Sequence, residues 1–317
     1  MNGYNPLKFF VRGADHSDIS GITKLIFAVC EAEGDTATAV TEEELQNEWT
    51  YEGFSPQSDA FVAEDNNGNM LGYAAVYDVD RHCELSGDIY LHPDANINLI
   101  GTALLQAMQN RSMEHVPFAP ENEAVQLRVA VDNRNERIKN LFLEMDFQAV
   151  RYHWRMEITL EQAPALPDFP KDIEFRPFDW QKHAHAVWQA RNAAFIGNWG
   201  SRELDFEEFT YYTKEHPEYD PSLWQVAWHG DQVIGFCINH MRMGIGWVHI
   251  LGIIPEYRGQ GLGRILLQHA FSTFYRRKIS VIGLGVDANN ETGATQLYEK
   301  VGMKPHSEFV TFEKVFR

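Results

Sequence analysis

The sequence predicts a mixed α/β (α+β) protein that contains two tandem domains. At 317 residues the chain is long for one domain and comfortable for two of about 150 residues each. Residues 93–106 align with residues 255–268 at a constant offset of 162 positions (255 minus 93), with the proline, the last glycine and a Leu-Leu-Gln run in register. A proline-rich stretch at residues 163–170 is typical of a semi-rigid linker. We therefore predict a first domain over residues 1–160, a linker over 161–171 and a second domain over 172–317.

Hydrophobic periodicity predicts the same order of elements in the two halves. In the second half we predict a strand at Ile173–Arg176, a helix over residues 180–195 and a hairpin that turns at residues 229–232. An apolar strand, a helix, a further strand, a short helix and a closing strand at residues 309–316 follow. The first half shows the same hairpin, which turns on the Asn-Asn-Gly sequence at residues 66–68. The predicted order in each half is β-α-α-β-β-β-α-β-α-β.

A glycine-punctuated loop, residues 258–264 (Arg-Gly-Gln-Gly-Leu-Gly-Arg), joins an apolar strand to an amphipathic helix. The N–H groups at the start of a helix have no intrahelical acceptors, and the helix dipole adds a partial positive charge there. Glycine adopts positive φ at little cost, and the missing Cβ lets a phosphate approach the backbone. The loop is therefore predicted to bind a pyrophosphate.

Two other phosphate loops do not fit these residues. A P-loop needs Gly-Lys-Ser/Thr at its end, whereas Arg264 follows Gly263 here. A dinucleotide fingerprint that starts at Gly261 would have Leu266 in the place of its third glycine. The remaining alternative is an ordinary glycine-rich turn between a strand and a helix.

The pattern Arg-x-x-Gly-x-Gly, placed after an apolar strand that ends at Pro255, resembles the acyl-CoA signature of the GNAT superfamily of N-acetyltransferases. A second segment, residues 286–303, is similar to the other hallmark of that family, an asparagine followed by a helix that ends Leu-Tyr-x-Lys-x-Gly-Phe/Met. The two segments stand in the order and spacing typical of the family. The resemblance implies two tandem GNAT folds, each with a mixed, mostly antiparallel central sheet, flanking helices and a splayed cofactor-binding strand. It also implies acetyl-CoA as the acyl donor.

The family's cofactor site can be transferred onto matching residues of this chain. The resemblance implies that backbone groups of Leu251, Gly252 and Ile253 pair with the pantetheine arm, and that an N–H there polarises the thioester carbonyl. Asn290 would brace the cofactor arm. Tyr298 would donate a proton to the leaving thiolate, with a core aromatic on an amphipathic helix as the alternative interpretation. The residues expected to hold the pyrophosphate are Arg258, Gly259, Gln260, Gly261, Leu262, Gly263 and Arg264.

A base must remove a proton from the amine that is acetylated. Period-two alternation predicts that Trp247, His249, Leu251 and Ile253 share one face of the strand. His249 is our candidate base because an imidazole titrates near neutral pH. The alternative is a structural histidine within a strand. We interpret Glu256 as a solvated turn residue.

The first half differs from the second at the positions that matter for this chemistry. Asn96, Ile97 and Leu99 stand where the second half has an arginine and two glycines. Branched side chains at the glycine positions would crowd a pyrophosphate and stiffen the turn. Phe142 stands in the place of Tyr298 and has no proton to donate. We therefore predict a degenerate, non-catalytic first domain and a catalytic second domain, and leave open whether the first domain still binds a CoA.

Composition limits the compartment and the partners. The three cysteines, Cys30, Cys83 and Cys237, show no metal-binding or disulfide spacing, which predicts free thiols, no metal and a cytoplasmic location. No signal peptide or membrane-spanning run is found in the sequence, so no membrane partner is expected. A formal net charge of −18 argues against nucleic acid, because such binding depends on Lys and Arg. We expect a monomer or a homodimer.

The predicted function is direct transfer of acetyl from acetyl-CoA to the primary amine of a small molecule, since no activated Cys or Ser stands at the signature. Two alternatives remain: transfer to a peptide or protein N-terminus, and a non-catalytic acyl-CoA sensor. The tandem arrangement resembles mycothiol synthases and their relatives, although substrate loops are the least transferable part of a fold. In the family the first two helices and the hairpin build the acceptor site, and here they contribute Phe195, Trp199, Glu203, Tyr211, Tyr212 and Trp224.

Overall fold

The computed structural model describes residues 9–290 and 292–317. Residues 1–8 of the predicted first domain, and Glu291 within the second signature segment, lie outside the described residues. The chain forms two compact units. The first contains the residues up to His153 together with Ser307–Arg317, and the second contains Trp154–His306.

These units differ from the predicted domains in the strand that closes each half. The last eleven residues, which we placed in the second domain, belong to the first unit. There they form the end of a strand that pairs antiparallel with Gln126–Asp132, from Phe309 opposite Asp132 to Val315 opposite Gln126. The segment that closes the first half, residues 154–159, belongs instead to the second unit. Residues 161–171 contain neither helix nor strand, as predicted for the linker.

The first unit has a sheet in the order β1-β2-β3-β4-β5-β12. Neighbouring strands are antiparallel except for β4 and β5, which are parallel. Its strands are β1 (Phe9–Gly13), β2 (Ala60–Asp65), β3 (Met70–Asp80), β4 (Glu84–Leu91), β5 (Gln126–Asp132) and the part of β12 (Lys304–Val315) from residue 307 onward. Its helices include α1 (Ile19–Glu33), α2 (Glu42–Glu48), α3 (Pro56–Asp59), α4 (Ile97–His115) and α5 (Glu136–Glu144).

The second unit repeats this plan with the sheet order β6-β11-β10-β9-β8-β7. The β10–β11 pair is parallel, and the pairs β10–β9, β9–β8 and β8–β7 are antiparallel. Its strands are residues 154–159 of β6 (Gln148–Thr159), β7 (Ile173–Arg176), β8 (Gln225–His229), β9 (Gln232–Arg242), β10 (Ile245–Ile253) and β11 (Val281–Asp287). Its helices include α6 (Trp180–Phe195), α7 (Phe206–Thr213), α8 (Leu262–Arg276) and α9 (Ala294–Lys300).

The apolar face of α8 builds much of the core of the second unit. Leu266, Ala270 and Phe274 recur at helical spacing and are fully buried. A Cβ built on Gly246 of β10 would lie only 2.7 Å from the ring of Phe274, so the helix packs directly on the strand. Truncation of Phe274 to Ala would cost about 3–5 kcal/mol, the usual range for a buried phenylalanine. This packing fixes the position of the glycine-rich loop, because that loop leads directly into α8.

The two parallel strands of the second unit separate along their length. β10 pairs with β11 only from Gly246 opposite Ile282 to Val248 opposite Leu284, although both strands continue. On its other edge β10 stays paired with β9 as far as Ile253. Past Val248, therefore, one edge of β10 has backbone groups that no strand among residues 9–290 and 292–317 is seen to pair with. This is the predicted splayed strand.

A β-bulge at His249 corrects the predicted arrangement of the β10 side chains. The register with β9 shifts between Val248 and Ile250, so His249 is an extra residue without a partner on β9. Trp247 lies opposite His240, whereas Leu251 lies opposite Cys237, an odd number of residues away on β9. Trp247 and Leu251 therefore lie on opposite faces of the sheet, not on one face, because a one-residue insertion inverts the alternation.

Among residues 9–290 and 292–317, no helix is both long enough and apolar enough to cross a bilayer.

Candidate active site

The glycine-rich loop presents backbone donors at the start of α8. Gly259 and Gly261 have φ of +75° and +80°, a region that other residues seldom adopt, and a Cβ on either would meet no atom within 4 Å. Glycine is therefore favoured at these two positions by the positive φ, and not because a side chain would clash with a neighbouring atom. Gly261 gives α8 no side-chain cap, and the first helical bond runs from the N–H of Ile265 to the carbonyl of Gly261. The N–H groups of the first turn are left for an external anion.

Arg258 holds this loop in place. Its Nη2 donates to the carbonyl oxygen of Ala194 at 2.7 Å, and its Nε donates to the carbonyl oxygen of Ile253 at 3.1 Å. Ala194 belongs to the last turn of α6, so the side chain joins the loop to a helix on the other side of the sheet from α8. Contact between Arg258 and the pyrophosphate stays a prediction. Nothing in the sequence indicated that its guanidinium would bind two backbone carbonyls.

The backbone of Leu251, Gly252 and Ile253 lies at the divergent end of β10. The three residues pair with β9 on one edge, and β11 has separated from the other edge. A Cβ on Gly252 would lie 2.4 Å from the Phe236 ring, so only glycine fits at that position. The strand is therefore preformed to accept an extended ligand in place of a β-strand partner.

Tyr298 approaches β10 from the α8 face. It lies on α9, next to Leu297, whose Cδ2 would be 3.1 Å from a Cβ on Gly263 of α8. Burial, and next the nearby Cys237 thiol, raise the pKa of Tyr298 well above its usual value. Cys237 pairs with Leu251, so the phenol lies near the middle of the splayed segment. A phenol in this environment stays protonated at neutral pH, although the raised pKa also makes it a weaker acid than an ordinary tyrosine.

The thiol of Cys237 is itself excluded as a nucleophile. Cys237 is fully buried, and this burial raises its pKa to about 12. Its Sγ lies 3.2 Å from Oδ1 of Asn239, which accepts a hydrogen bond from it. A thiol that remains protonated at neutral pH forms no thiolate for attack on an acyl group. The geometry agrees with direct transfer.

His249 lies on the opposite face, at the bulge. Its ring centroid is 5.1 Å from that of His240, which in turn stacks on His216 at 4.5 Å. The imidazole of His249 is open to solvent, yet desolvation by the surrounding protein, helped by the charges of His216, Arg242 and Arg191, lowers its pKa to about 4. His249 is therefore neutral at pH 7 and has a free lone pair, although the lowered pKa makes it a weaker base than an ordinary histidine.

His240 is the member of this group that the sequence analysis missed. It is buried, its Nε2 has no hydrogen-bond partner among the described residues, and burial lowers its pKa to about 2. A permanently neutral ring next to His249 adds bulk and low polarity without adding charge. Period-two alternation on β9 indicates which residues share a face of the sheet with His240. It gives no indication that the His240 ring lies next to His249.

The side-chain oxygen of Asn290 is bound within the protein. Its Oδ1 accepts hydrogen bonds from the N–H of Thr292 at 2.9 Å and from the Thr292 hydroxyl at 2.6 Å. A weaker bond from the N–H of Ala294 reaches the same oxygen at 3.3 Å, so Asn290 organises the start of α9. Only its amide nitrogen is left for a ligand. Its role as a brace of the cofactor arm stays a prediction.

The residues predicted for the acceptor side include both buried and exposed aromatic side chains. Trp224 is buried at 3% exposure and packs against Phe178, with ring centroids 4.5 Å apart, so it belongs to the core. The Arg191 guanidinium lies over the ring of Phe195, with its Cζ atom 5.6 Å from the ring centroid. Trp199 and Tyr212 are 39% and 37% exposed and can meet a substrate. Their part in an acceptor pocket stays a prediction.

In the first unit the two parallel strands also diverge, but the side chains beside them differ from those of the second unit. β4 and β5 pair from Glu84 to Gly87 and then diverge, and the ends of both strands line a cavity of about 280 Å³. Asp88 lines this cavity, and burial raises its pKa to about 6. Phe142, at the position of Tyr298, is fully buried between the rings of Phe147 and Phe312. The first unit thus has a cleft but no proton donor at this position.

Comparison with known proteins identifies the family. The acetyltransferase (GNAT) family model matches residues 180–303. A mycothiol acetyltransferase from Saccharopolyspora erythraea is 25% identical over 252 residues, which cover 78% of this chain and 82% of that protein. A mycothiol acetyltransferase from Geodermatophilus obscurus is 23% identical and covers 96% of this chain and 97% of its own length.

Two solved structures share the whole architecture. A GCN5-related N-acetyltransferase from Sphaerobacter thermophilus has a TM-score of 0.82 and 30% identity, with 98% of this chain and 96% of that chain covered. A tandem GNAT protein from the clavulanic acid biosynthesis pathway has a TM-score of 0.75 at 13% identity, with 97% and 98% covered. The chain belongs to the GCN5-related N-acetyltransferase (GNAT) family and is an acyltransferase with a tandem GNAT fold. The predicted family, fold class and enzyme class are confirmed.

Proposed function

We propose that the second unit transfers acetyl from acetyl-CoA directly to the primary amine of a small molecule. One observation carries the proposal: in the second unit a proton donor and a proton acceptor approach the splayed strand from opposite faces. Tyr298 lies on the face of Cys237 and α8, and His249 lies next to His240 on the other. Acyl transfer to an amine needs both groups, because the nucleophile loses a proton and the leaving thiolate gains one.

The proposed reaction forms one bond and breaks one. The amine nitrogen bonds to the acetyl carbonyl carbon, and the bond from that carbon to the CoA sulfur breaks. His249, directly or through water, takes the proton that the amine loses, and Tyr298 supplies a proton to the thiolate. A backbone N–H in the segment Leu251–Ile253 would stabilise the negative charge on the carbonyl oxygen. The first turn of α8 would hold the pyrophosphate.

The choice of the second unit rests on what the first unit lacks. Phe142 has no hydroxyl, and Leu99 stands in the place of Gly261. Leu99 lies in the first turn of α4 and is 44% exposed, so a branched side chain stands where the second unit has a glycine. Asn96 also uses its side-chain oxygen to cap α4, accepting from the N–H of Leu99 at 3.2 Å. These features leave fewer donors for a pyrophosphate.

The small-molecule acceptor is supported by two observations. The relatives at 23% and 25% identity are named mycothiol acetyltransferases, a name that indicates a small-molecule acceptor. Exposed aromatic side chains, Trp199 and Tyr212, stand in the part of the second unit that follows α6, where aromatic faces suit an ammonium group.

A thiol-release assay tests the proposal. The full chain would be supplied with acetyl-CoA and a panel of small primary amines, and in parallel with peptides that carry free N-termini. Turnover with small amines, lost in Tyr298→Phe and kept in the first-unit variant Phe142→Tyr, is expected. Preference for peptides would contradict the small-molecule acceptor, and acetyl-CoA binding without thiol release from any acceptor would contradict catalysis.

A further inference from the structure

The β3–β4 turn of the first unit brings together two imidazoles and a carboxylate, outside the cleft described above. Asp78 lies near the end of β3, His82 lies in the turn to β4, and His115 is the last residue of α4. One ligand atom of each residue lies within 4.8 Å of the others. We propose that this cluster binds a divalent transition-metal cation of the zinc type, which joins the turn to the end of α4.

The short distances show that the three ligand atoms converge. Nδ1 of His82 lies 2.7 Å from Nδ1 of His115 and 2.8 Å from Oδ2 of Asp78. The distance from Nδ1 of His115 to Oδ2 of Asp78 is 3.9 Å. The two nitrogens face each other, so at most one of them carries a hydrogen, and that one hydrogen cannot satisfy all three atoms. A cation would accept a lone pair from each.

The ligand set matches a borderline metal ion. Two imidazole nitrogens and one carboxylate oxygen are typical of zinc sites with three protein ligands, and water takes the fourth position. Hard cations such as Mg²⁺ and Ca²⁺ prefer oxygen ligands only. In a tetrahedral zinc site, bonds of about 2.0–2.1 Å place two nitrogens about 3.3 Å apart. The two rings would therefore separate by about 0.6 Å on binding.

The surrounding backbone holds the ligands in this arrangement. The other oxygen of Asp78, Oδ1, accepts a hydrogen bond from the backbone N–H of His82 at 2.8 Å, which leaves Oδ2 directed at the rings. Arg81 and His82 have φ of +43° and +62°, so the turn keeps two non-glycine residues in a left-handed conformation. Such conformations persist where a functional or structural gain offsets their cost.

The charges around the cluster also favour a cation. His115 lies at the C-terminal end of α4, where the helix dipole places a partial negative charge. Arg111 lies one helical turn before His115. Its guanidinium is paired with Asp59 at 2.6 Å and with Glu114 at 2.8 Å, so its charge is compensated. Phe118 packs on the His82 ring with centroids 5.6 Å apart and covers one side of the cluster.

Zinc titration of the full-length protein tests the proposal. The protein would be treated with EDTA, dialysed, and titrated with zinc chloride in a calorimeter. One Zn²⁺ per chain is expected. His82→Asn and Asp78→Asn should each weaken binding by at least about 100-fold, because even the loss of a group that only orients a ligand costs about 10–100-fold. Asn tolerates the left-handed conformation of residue 82, so that variant keeps the turn.

His16→Asn is the matched control, because His16 is an exposed imidazole of the same unit next to Asp15 and Asp18. It should bind zinc as the wild type does. Cobalt gives a second readout: bound Co²⁺ should show a visible d–d band in the wild type that both cluster variants lose. Zinc should also raise the unfolding midpoint of the wild type and not that of His82→Asn. No zinc binding, or equal binding by the wild type and both cluster variants (an adventitious ion only), would overturn the proposal.

Discussion

The guanidinium of Arg258 donates a hydrogen bond to the backbone carbonyl of Ala194 at 2.7 Å, across 64 positions of sequence. This bond joins the glycine-rich loop to the last turn of α6. The loop and the helix thus share one rigid attachment, although they lie on opposite faces of the sheet. Arginine presents its donors in a rigid planar fork, whereas lysine carries a single ammonium on a flexible stem, so a lysine at this position would not reproduce the two-carbonyl geometry.

We predict that Arg258→Lys and Arg258→Ala weaken acetyl-CoA binding to a similar extent, by about tenfold for a loss of about 1.4 kcal/mol. The reason is that both variants lose the two bonds that hold the loop. Calorimetric titration with acetyl-CoA measures the effect. If Arg258→Lys binds as tightly as the wild type, the positive charge matters and the attachment to Ala194 does not.

The second prediction concerns the proposed acid. Tyr298→Phe should lower kcat by about 100-fold and leave the affinity for acetyl-CoA nearly unchanged, since only the proton donor is removed. Tyr275→Phe, on α8 and outside the site, is the matched control and should retain activity. Steady-state kinetics with an active amine checks this. Equal losses of kcat and affinity would mean that Tyr298 acts through packing.

A third prediction follows from the lowered pKa of His249. The neutral form of His249 accepts the proton, and with a pKa of about 4 it persists as the pH falls through the range in which an ordinary histidine would be protonated. The ratio kcat/KM should therefore show no acidic loss near pH 6.5 that depends on His249. A limb near pH 6.5 that disappears in His249→Gln would contradict this pKa and still identify the base.

The buried His240 should make the stability of the second unit depend on pH. Its folded pKa is lowered to about 2, whereas an unfolded histidine titrates near pH 6.5. Between these values the unfolded chain binds a proton that the folded chain does not, so acidification destabilises the fold, by up to about 1.4 kcal/mol per pH unit. The stability gained by a neutral His240 is complete above pH 6.5 and is lost as the pH falls.

Urea unfolding at pH 7, 6 and 5 measures this dependence. His240→Leu should unfold with a smaller loss of free energy between pH 7 and 5 than the wild type. The exposed His306 provides the control, since His306→Asn should retain the wild-type pH dependence. A His240→Leu protein with unchanged pH dependence would show that His240 is protonated in the folded state.

Local sequence signals predicted several elements at their observed bounds. The strand Ile173–Arg176 and the helix Trp180–Phe195 agree residue for residue. The helix begins where Asp179 caps it, accepting from the N–H of Gln181, and such a cap can be recognised from adjacent residues alone. The hairpin turns at residues 66–68 and 229–232 were also visible, because Asn, Asp and Gly favour turns through their own backbone preferences.

Features that depend on distant partners could not be predicted. The closing strand was recognised, but its partner β5 lies some 180 residues earlier in the chain, and no local pattern indicates that choice. The bulge at His249 is a single extra residue in an apolar strand. It reverses the face of the sheet on which each later side chain of β10 lies. The family resemblance gave the identities of the site residues. It did not give the attachment of Arg258 or the proximity of His240 to His249.

The central claim is that acetyl-CoA binds at the start of α8 and that the second unit is catalytic. The direct measurement is a calorimetric titration with acetyl-CoA of the wild type, Gly261→Glu and the first-unit counterpart Leu99→Glu, each also assayed for turnover. Gly261 has a φ of +80° with no atom near its Cβ, so the glutamate disturbs the loop and not the core. The account predicts that Gly261→Glu loses a binding site together with all turnover, whereas Leu99→Glu retains turnover. Turnover that survives in Gly261→Glu, or that disappears only in Leu99→Glu, would contradict it.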